Sequence, residues 1–115
     1  MGLDSDIDKI PREIVALKNP QFRFNKRIID ATAPFVCAYK PNTAFYEALG
    51  AAGIEDLKRT IQYLNSQYPE IPVILDAKRG DIGNTAECYV KEAFERYKAD
   101  ALTVNPYLGF DSLQP

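Results

Sequence analysis

Short apolar segments alternate with helical segments along this chain, and that alternation is the strongest constraint on its fold. Two runs, PFVCAYK over 34–40 and IPVILDAK over 71–78, have the length and composition of strands. ADALTVNP over 99–106 predicts a further strand, and GLDSD over 2–6 is typical of the end of a strand whose beginning is missing. Continuously apolar strands separated by helices predict parallel βαβ units covered on both faces. The predicted fold class is therefore α/β.

Helical patterns fill the intervals between the predicted strands. The clearest is residues 54–69, where apolar residues from Ile54 to Leu64 share one face and a proline follows. Three shorter helical segments are predicted over 9–19, 22–33 and 43–53, the last interrupted by glycines. Residues 84–98 predict another helix, in which Asn84 and Glu87 fit a capping box. No repeat or linker divides the 115 residues, so one domain is expected.

Composition excludes several classes of function. Fourteen basic and sixteen acidic residues give a net charge of -2 without a basic cluster, so neither nucleic acid nor a membrane is an expected partner. The chain has no histidine, which excludes an imidazole base or ligand from it. With no signal peptide and no long apolar span, we expect a reducing cytoplasm, unpaired cysteines and a buried Cys37.

Polar residues stand where each predicted strand ends: Asp4, Lys40, Asp76 with Lys78, and Asn105. Ligands bind at the carboxyl ends of parallel strands, in open α/β sheets and in (β/α)8 barrels alike. No glycine-rich dinucleotide motif follows the first strand, and GAAG over 50–53 lacks the Lys-Ser/Thr of a phosphate-binding loop. A barrel is therefore favoured. Since a barrel normally needs about 250 residues, only about its first four β/α units are expected here.

The charges at these strand ends predict a chemical site. Asp76 and Lys78 are two residues apart and are expected to share a face of their strand, with Lys40 beside them on the neighbouring strand. Buried charges cost several kcal/mol unless they are paired, and an alternating Lys–Asp–Lys–Asp array would pair them. Such an array also makes a fixed field that stabilises charge developing on a substrate. A purely structural salt-bridge network is the alternative, which the recurrence of polar groups at all four strand ends disfavours.

Four motifs carry a resemblance to a known family. DAKRGDIGNTA resembles the Asp-x-Lys-x-x-Asp-Ile signature of the orotidine 5'-monophosphate decarboxylase family. GLDSD is similar to its first-strand aspartate region, AYKPN to its second-strand lysine region, and TVNPYLG to the fourth strand of its longer bacterial-type branch. The resemblance covers essentially the whole chain in the expected order. It implies a parallel (β/α)8 TIM barrel, with residues 1–115 as the N-terminal half of a single decarboxylase domain.

The resemblance also implies an activity and roles for single residues. The family converts orotidine 5'-phosphate to uridine 5'-phosphate and CO2 in de novo pyrimidine biosynthesis, without a metal or an organic cofactor. Lys78 would stabilise the carbanion at C6 of the pyrimidine and protonate it, while Asp76 would sit beside the departing carboxylate and hold Lys78. Lys40 would complete the charge network and bind the ribose, as Asp4 would on the other side. Asn42 is a weaker candidate for a substrate contact.

Three residues are expected to act in a neighbouring subunit. In the family, residues at the positions of Asp81, Ile82 and Thr85 reach across a dimer interface into the partner's site. The resemblance therefore implies a homodimer with shared active sites, in which Asp81 completes the catalytic charge array.

Two alternatives stay open at this point. The first is a half-barrel that is inactive without its C-terminal half, because the family binds phosphate and pyrimidine through later loops. The second is a Mg²⁺-dependent sugar-phosphate decarboxylase or aldolase of the same superfamily. Such an enzyme has an acidic residue where this chain has Lys40, a cation that would oppose a metal ion.

Overall fold

The computed structural model describes residues 1–115. It contains five α-helices, namely α1 (Arg12–Val15), α2 (Pro20–Thr32), α3 (Ala44–Glu47), α4 (Gly50–Gln67) and α5 (Gly83–Val90). Its two β-strands are β1 (Ile74–Arg79) and β2 (Ala101–Val104). A π-helix (Lys91–Tyr97) continues α5, and four 3-10 helices lie at Ile7–Lys9, Ala33–Phe35, Pro106–Leu108 and Phe110–Ser112. None of the helices combines the length and the apolar composition that a bilayer crossing requires.

Four extended segments lie side by side in the order in which they occur along the chain. β1 and β2 pair in parallel. The two earlier segments join them through isolated parallel bridges, which link Gly2 to Lys40, Tyr39 to Val73 and Asn42 to Asp76. Helical segments connect the four in succession, as in the first part of a β/α barrel. The predicted α/β class is confirmed.

The second extended segment is shorter than the apolar run that predicted it. Residues 33–35 form a 3-10 helix, and pairing begins only at Tyr39. Pro34 lies in that helix, where its fixed φ and missing N–H favour a turn over a paired strand. Cys37 is exposed, so the prediction that it is buried is wrong. Both cysteines are free.

The hydrophobic core lies between the extended segments and the helices α2 and α4. Its fully buried side chains include Ile29 of α2, Leu57, Ile61 and Leu64 of α4, and Tyr39 and Val73 of the extended segments. Burying a side chain of this size contributes about 1.5–3 kcal/mol. Ile54, at the start of the predicted apolar face, is 36% exposed instead. The core therefore anchors the strands from one side and leaves their carboxyl ends for a site.

A buried polar network ties the first extended segment to the helices. The side-chain amide of Asn25 donates to the Tyr46 hydroxyl at 2.8 Å and to Thr60 Oγ1 at 3.1 Å. The Tyr46 hydroxyl in turn donates to the Leu3 carbonyl oxygen at 2.6 Å, and Ser5 Oγ donates to Asn25 Oδ1. Burial raises the pKa of Tyr46 to about 12. These bonds fix the position of Leu3 and Ser5, on either side of Asp4, relative to α2 and α3.

The helix after β1 begins without the predicted capping box. Its N-cap is Ile82, and no side chain caps it. The N–H groups of Thr85 and Ala86 both donate to the Ile82 carbonyl oxygen at 3.0 Å. Asn84 therefore lies inside the first turn, two residues after the cap position.

Candidate active site

Asp76 lies between two lysine side chains at the carboxyl end of the sheet. Its Oδ2 accepts a hydrogen bond from Lys40 Nζ at 2.9 Å, and its Oδ1 accepts one from Lys78 Nζ at 2.7 Å. The Asp76 side chain is 8% exposed, whereas those of Lys40 and Lys78 are 40% and 68% exposed. A buried carboxylate thus holds two cations that face solvent. The structure brings together three of the four charges of the predicted array.

These contacts fix the charge of the carboxylate. The Lys78 ammonium, followed by that of Lys40 and the Thr103 hydroxyl, holds the pKa of Asp76 well below its usual range, against the effect of burial. The hydrogen bond to Asp76 raises the pKa of Lys40. Two ammonium groups around one carboxylate leave a net positive site, which suits an anionic substrate.

Backbone pairing sets the distance between Lys40 and Asp76. The Lys40 N–H donates to the Met1 carbonyl oxygen at 2.9 Å, which joins it to the first segment. On the other side, the Asp76 N–H donates to the Pro41 carbonyl oxygen at 3.0 Å, and the Thr43 N–H donates to the Asp76 carbonyl oxygen at 3.1 Å. The contact between the two charges is therefore a product of strand order, since neighbouring parallel segments end at one edge.

β1 is irregular where it carries the site. Between two registered pairs, β1 has the three residues 76–78 where β2 has the single residue Thr103, which makes a bulge. Lys78 has a φ of 49°, in the left-handed region that a non-glycine residue seldom adopts. Regular alternation, from which the Asp76–Lys78 contact was predicted, is therefore wrong here. The two side chains nevertheless meet, with Lys78 Nζ 2.7 Å from Asp76 Oδ1.

Thr103 is a site residue that the sequence analysis missed. Its hydroxyl donates to Asp76 Oδ1 at 2.7 Å and accepts from the Lys78 N–H at 3.0 Å. The available signal was a hydroxyl inside an apolar strand run, two residues before Asn105. The Asn105 side chain accepts from the Tyr107 N–H at 3.0 Å and caps a 3-10 helix instead.

Asp4 and Asn42 lie at the ends of the first two extended segments, as predicted. Asp4 Oδ1 accepts from the Asn42 N–H at 3.1 Å, and Asn42 Oδ1 accepts from the Ala44 N–H at 3.0 Å. The charge of Asp4 adds a smaller contribution to the raised pKa of Lys40. Both residues therefore border the charged cluster on the side away from Lys78.

Asp81, Ile82 and Thr85 stand apart from the cluster within one chain. Asp81 Oδ1 accepts from the Ile82 N–H at 2.7 Å and makes no contact with either lysine. Ile82 is 65% exposed, and Thr85 is half-buried at the start of α5. The three form a short projecting segment after β1, and the fourth charge of the predicted array is not brought to the first three within this chain.

Arg79 supports the strand end from behind the site. Its Nη2 donates to Glu47 Oε1 at 2.7 Å, and its Nε lies 3.6 Å from Glu92 Oε2. The guanidinium also lies over the Tyr89 ring, 5.1 Å from its centroid. Arg79 thereby links the end of β1 to α3, α5 and the π-helix, which gives this charge of the motif a structural role.

Comparison with known proteins identifies the family. Residues 11–115 match the sequence profile described as the Orotidine 5'-phosphate decarboxylase / HUMPS family. The chain belongs to this family. The resemblance predicted from its motifs is thus confirmed.

Individual relatives agree with this assignment. Proteins named orotidine 5'-phosphate decarboxylase from Christiangramia forsetii and Cellvibrio japonicus are 55% identical over 115 residues and 57% identical over 117 residues, respectively. Each alignment includes 100% of this chain but 42% of the relative, so the chain spans less than half the length of these curated relatives.

A solved structure confirms the predicted fold class. The structure of Leishmania donovani OMP decarboxylase superimposes with a TM-score of 0.81 at 43% identity, over 99% of this chain and 41% of that one. The arrangement described above is therefore that of a partial parallel β/α barrel.

The donor set around Asp76 does not fit the magnesium-dependent alternative. Both carboxylate oxygens already accept hydrogen bonds from ammonium groups. No group of three or more acidic, cysteine or histidine side chains is placed to hold a metal ion. Lys40 occupies the position that the alternative assigns to an acidic residue. Because Mg²⁺ prefers oxygen ligands and is repelled by cations, an ammonium group at this position disfavours the metal.

Proposed function

We propose that the full-length protein, meaning these 115 residues with a C-terminal half of the barrel, decarboxylates orotidine 5'-monophosphate to uridine 5'-monophosphate. The observation that carries this proposal is the Asp76 carboxylate held between Lys40 and Lys78 at the strand ends. Family membership and relatives of that name support it. A place in pyrimidine biosynthesis follows from the same proposal, and a reducing cytoplasm stays a prediction.

The reaction breaks the bond between C6 of the pyrimidine and its carboxylate. CO2 leaves, and the electron pair of that bond remains on C6 as a carbanion. The Lys78 ammonium stabilises this charge, donates a proton to C6 and recovers its own proton from solvent. Electrostatic preorganisation of this kind lowers the barrier because the charges are already in place before charge develops. No step in this sequence requires a cofactor.

Asp76 has two functions in this scheme. It holds the Lys78 ammonium at 2.7 Å, and it occupies the position beside the departing carboxylate. Lys40 neutralises the other carboxylate oxygen and hydrogen-bonds the ribose. Asp4 contacts the ribose from the opposite side, with Asn42 as a further contact. Binding of the ribose and phosphate supplies free energy that lowers the activation barrier at the reacting carbon.

The remaining predicted residues act across a dimer interface in this proposal. Asp81, Ile82 and Thr85 project from the end of β1 and make no contact with the lysines of their own chain. A partner subunit would receive them, so that its Lys40–Asp76–Lys78 cluster gains the fourth charge. This proposal explains why an exposed isoleucine lies next to an acid on that segment.

The chain is the N-terminal half of one barrel domain in this scheme and is inactive alone. Its support is the 42% share of the relatives that it spans. β2 also ends the sheet, with Val104 44% exposed beside the unpaired edge. An open strand edge with apolar neighbours calls for a further element to cover it.

Release of CO2 from carboxyl-labelled orotidine 5'-monophosphate tests activity and completeness together. The assay compares residues 1–115 alone, the full-length protein, and residues 1–115 co-expressed with the C-terminal half, or with that of the Christiangramia forsetii relative. We expect turnover in the last two samples and none in the first. Failure of the full-length protein overturns the function, whereas robust turnover by residues 1–115 overturns the half-barrel proposal. If the protein isolated from its own organism has a mass near 12.9 kDa, the half-barrel proposal is also overturned.

Mixing two inactive variants tests the shared site. Lys78→Ala and Asp81→Ala each disable every site of a homodimer, but a heterodimer of the two has one site with both native residues. Random reassociation is expected to restore about a quarter of the native activity. If the mixture stays as inactive as its parents although heterodimers form, Asp81 acts within its own chain or not at all.

A further inference from the structure

Thr103 is the only residue of β2 that faces the bulge carrying Asp76 and Lys78. Residues 76–78 stand opposite it, between the registered pairs of the two strands. A bulge removes regular ladder hydrogen bonds and leaves backbone groups without their usual strand partners. The Lys78 N–H is such a group, and its acceptor is the Thr103 hydroxyl at 3.0 Å rather than a backbone carbonyl.

The backbone of Lys78 needs this support. Its φ of 49° is unfavourable for a residue with a β-carbon. A conformation of that kind persists where surrounding contacts determine it. The Thr103 hydroxyl supplies one such contact at the same residue that presents the reactive ammonium.

The same hydroxyl also touches the carboxylate. Its proton is donated to Asp76 Oδ1 at 2.7 Å, the oxygen that accepts from Lys78 Nζ at 2.7 Å. Thr103 therefore contacts the backbone of Lys78 and the side-chain partner of Lys78 at once. A hydroxyl oxygen accepts from one group and donates to the other through a single atom. Serine retains both functions, whereas valine and alanine have neither.

We propose that Thr103 is a positioning residue for the decarboxylation, which directs the Lys78 ammonium by fixing both the bulged backbone of Lys78 and the carboxylate Asp76. The inference rests on the proposed function and extends it to β2. Thr103 contacts no substrate in this scheme and acts through Lys78 and Asp76. A structural role alone would affect stability, but not the chemical step of the folded enzyme.

Steady-state kinetics of Thr103→Val and Thr103→Ser in the full-length protein separate these roles. We expect Thr103→Val to lower kcat about 10- to 100-fold, the cost of a misplaced catalytic group, with KM changed by less than about threefold. Thr103→Ser should retain kcat within about threefold. Thr32→Val removes another half-buried hydroxyl, which bonds the Ile28 carbonyl oxygen and the Tyr39 hydroxyl outside the charged cluster, and should leave kcat unchanged. Thr103→Ala replaces Thr103→Val if the latter does not fold.

A folded variant without the hydroxyl whose kcat stays within about twofold of the native value overturns the proposal. Amide hydrogen exchange at Lys78 provides a readout that does not depend on activity. Loss of Lys78 protection in Thr103→Val, with retention in Thr103→Ser, is expected even if the full-length protein proves to have another activity. If the Lys78 amide is as well protected in Thr103→Val as in the native protein, the positioning role is overturned. If the exchange results are as expected but the native full-length protein shows no turnover, only the proposed function is overturned.

Discussion

The ammonium nitrogen of Lys40 lies 2.9 Å from Oδ2 of Asp76, although the two residues are 36 positions apart in the chain. Each belongs to a different extended segment, and the bridge between Asn42 and Asp76 aligns the two segments next to this contact. The pairing of the two segments therefore determines the distance between the two charged groups. Replacing either residue removes a charge without changing this pairing, so mutations can test the site.

Lys78→Ala in the full-length protein is expected to lower turnover at least about 10³-fold, because a preorganised charge aimed at the developing carbanion is lost. Affinity for uridine 5'-monophosphate should fall about tenfold or less, since the product has no charge at C6. Decarboxylation kinetics and product-inhibition constants measure the two effects. Lys58→Ala, on the exposed face of α4, is the matched control. Near-normal turnover of Lys78→Ala would show that its assigned role is wrong.

The lowered pKa of Asp76 predicts a specific acid dependence of stability. The unfolded carboxyl titrates near about 3.9, and the folded one titrates lower because of Lys78 first and Lys40 next. The pairing therefore contributes its full stability above about pH 4 and loses it as the pH falls toward the folded pKa. Asp76→Asn should lower the free energy of unfolding at neutral pH by about 1–3 kcal/mol and flatten its acid slope.

Urea unfolding of the full-length protein between about pH 3 and 7 measures this slope. Glu70→Gln removes an exposed charge of the same sign outside the site and should leave the slope nearly native. If Asp76→Asn and the native protein lose stability in parallel, Asp76 does not have the lowered pKa that its contacts imply.

Much of the site was predictable because it depends on topology alone. Parallel strands end at one edge, so Lys40 and Asp76 had to be neighbours once their strands were adjacent. The same reasoning placed Asp4 at that edge, but did not predict its hydrogen bond with the Asn42 N–H. The core face of α4 from Leu57 to Leu64 followed from helical periodicity, which short apolar runs such as 34–40 do not provide. The buried Gln21 and Asn25 of α2 did not follow from it.

The bulge in β1 was not predictable from the sequence. Residues 76–78 read as a regular strand, and no glycine marks the left-handed conformation of Lys78. That conformation depends on Thr103, which is distant in sequence, so no local pattern contains it. The prediction of a capping box at Asn84 was wrong for a similar reason. The start of α5 is set by the turn after the bulge, where Ile82 is the N-cap, and not by Asn84 itself.

The raised pKa of Tyr46 leads us to expect a loss of stability at alkaline pH. Burial raises its pKa from about 10 to about 12 in the folded state, so the folded protein keeps the phenol neutral while the unfolded chain ionises. This contribution is intact below about pH 10 and is lost as the pH rises toward about 12, at up to about 1.4 kcal/mol per pH unit. Tyr46→Phe should remove that part of the slope.

The measurement is the free energy of unfolding of the full-length protein between about pH 8 and 11. Tyr46→Phe also costs about 1–3 kcal/mol at neutral pH, because the Leu3 carbonyl oxygen and the Asn25 amide each lose a partner. Tyr107→Phe, at a 92% exposed position, is the control that should keep both values native. Equal alkaline slopes for Tyr46→Phe and the native protein would contradict the prediction.

Gly53 marks a close approach between α4 and the backbone of α3. A β-carbon at this position would lie 2.0 Å from the Tyr46 carbonyl oxygen, and a backbone atom cannot move aside as a side chain can. Gly53→Ala is therefore expected to destabilise the full-length protein by at least about 2–3 kcal/mol, although alanine is the better helix former. Gly83→Ala, at the start of α5 where nothing lies within 4 Å of the added carbon, should be neutral or slightly stabilising. Thermal and urea unfolding of the two variants decide the matter, and equal stability of Gly53→Ala and Gly83→Ala would mean that α3 and α4 pack less closely than described.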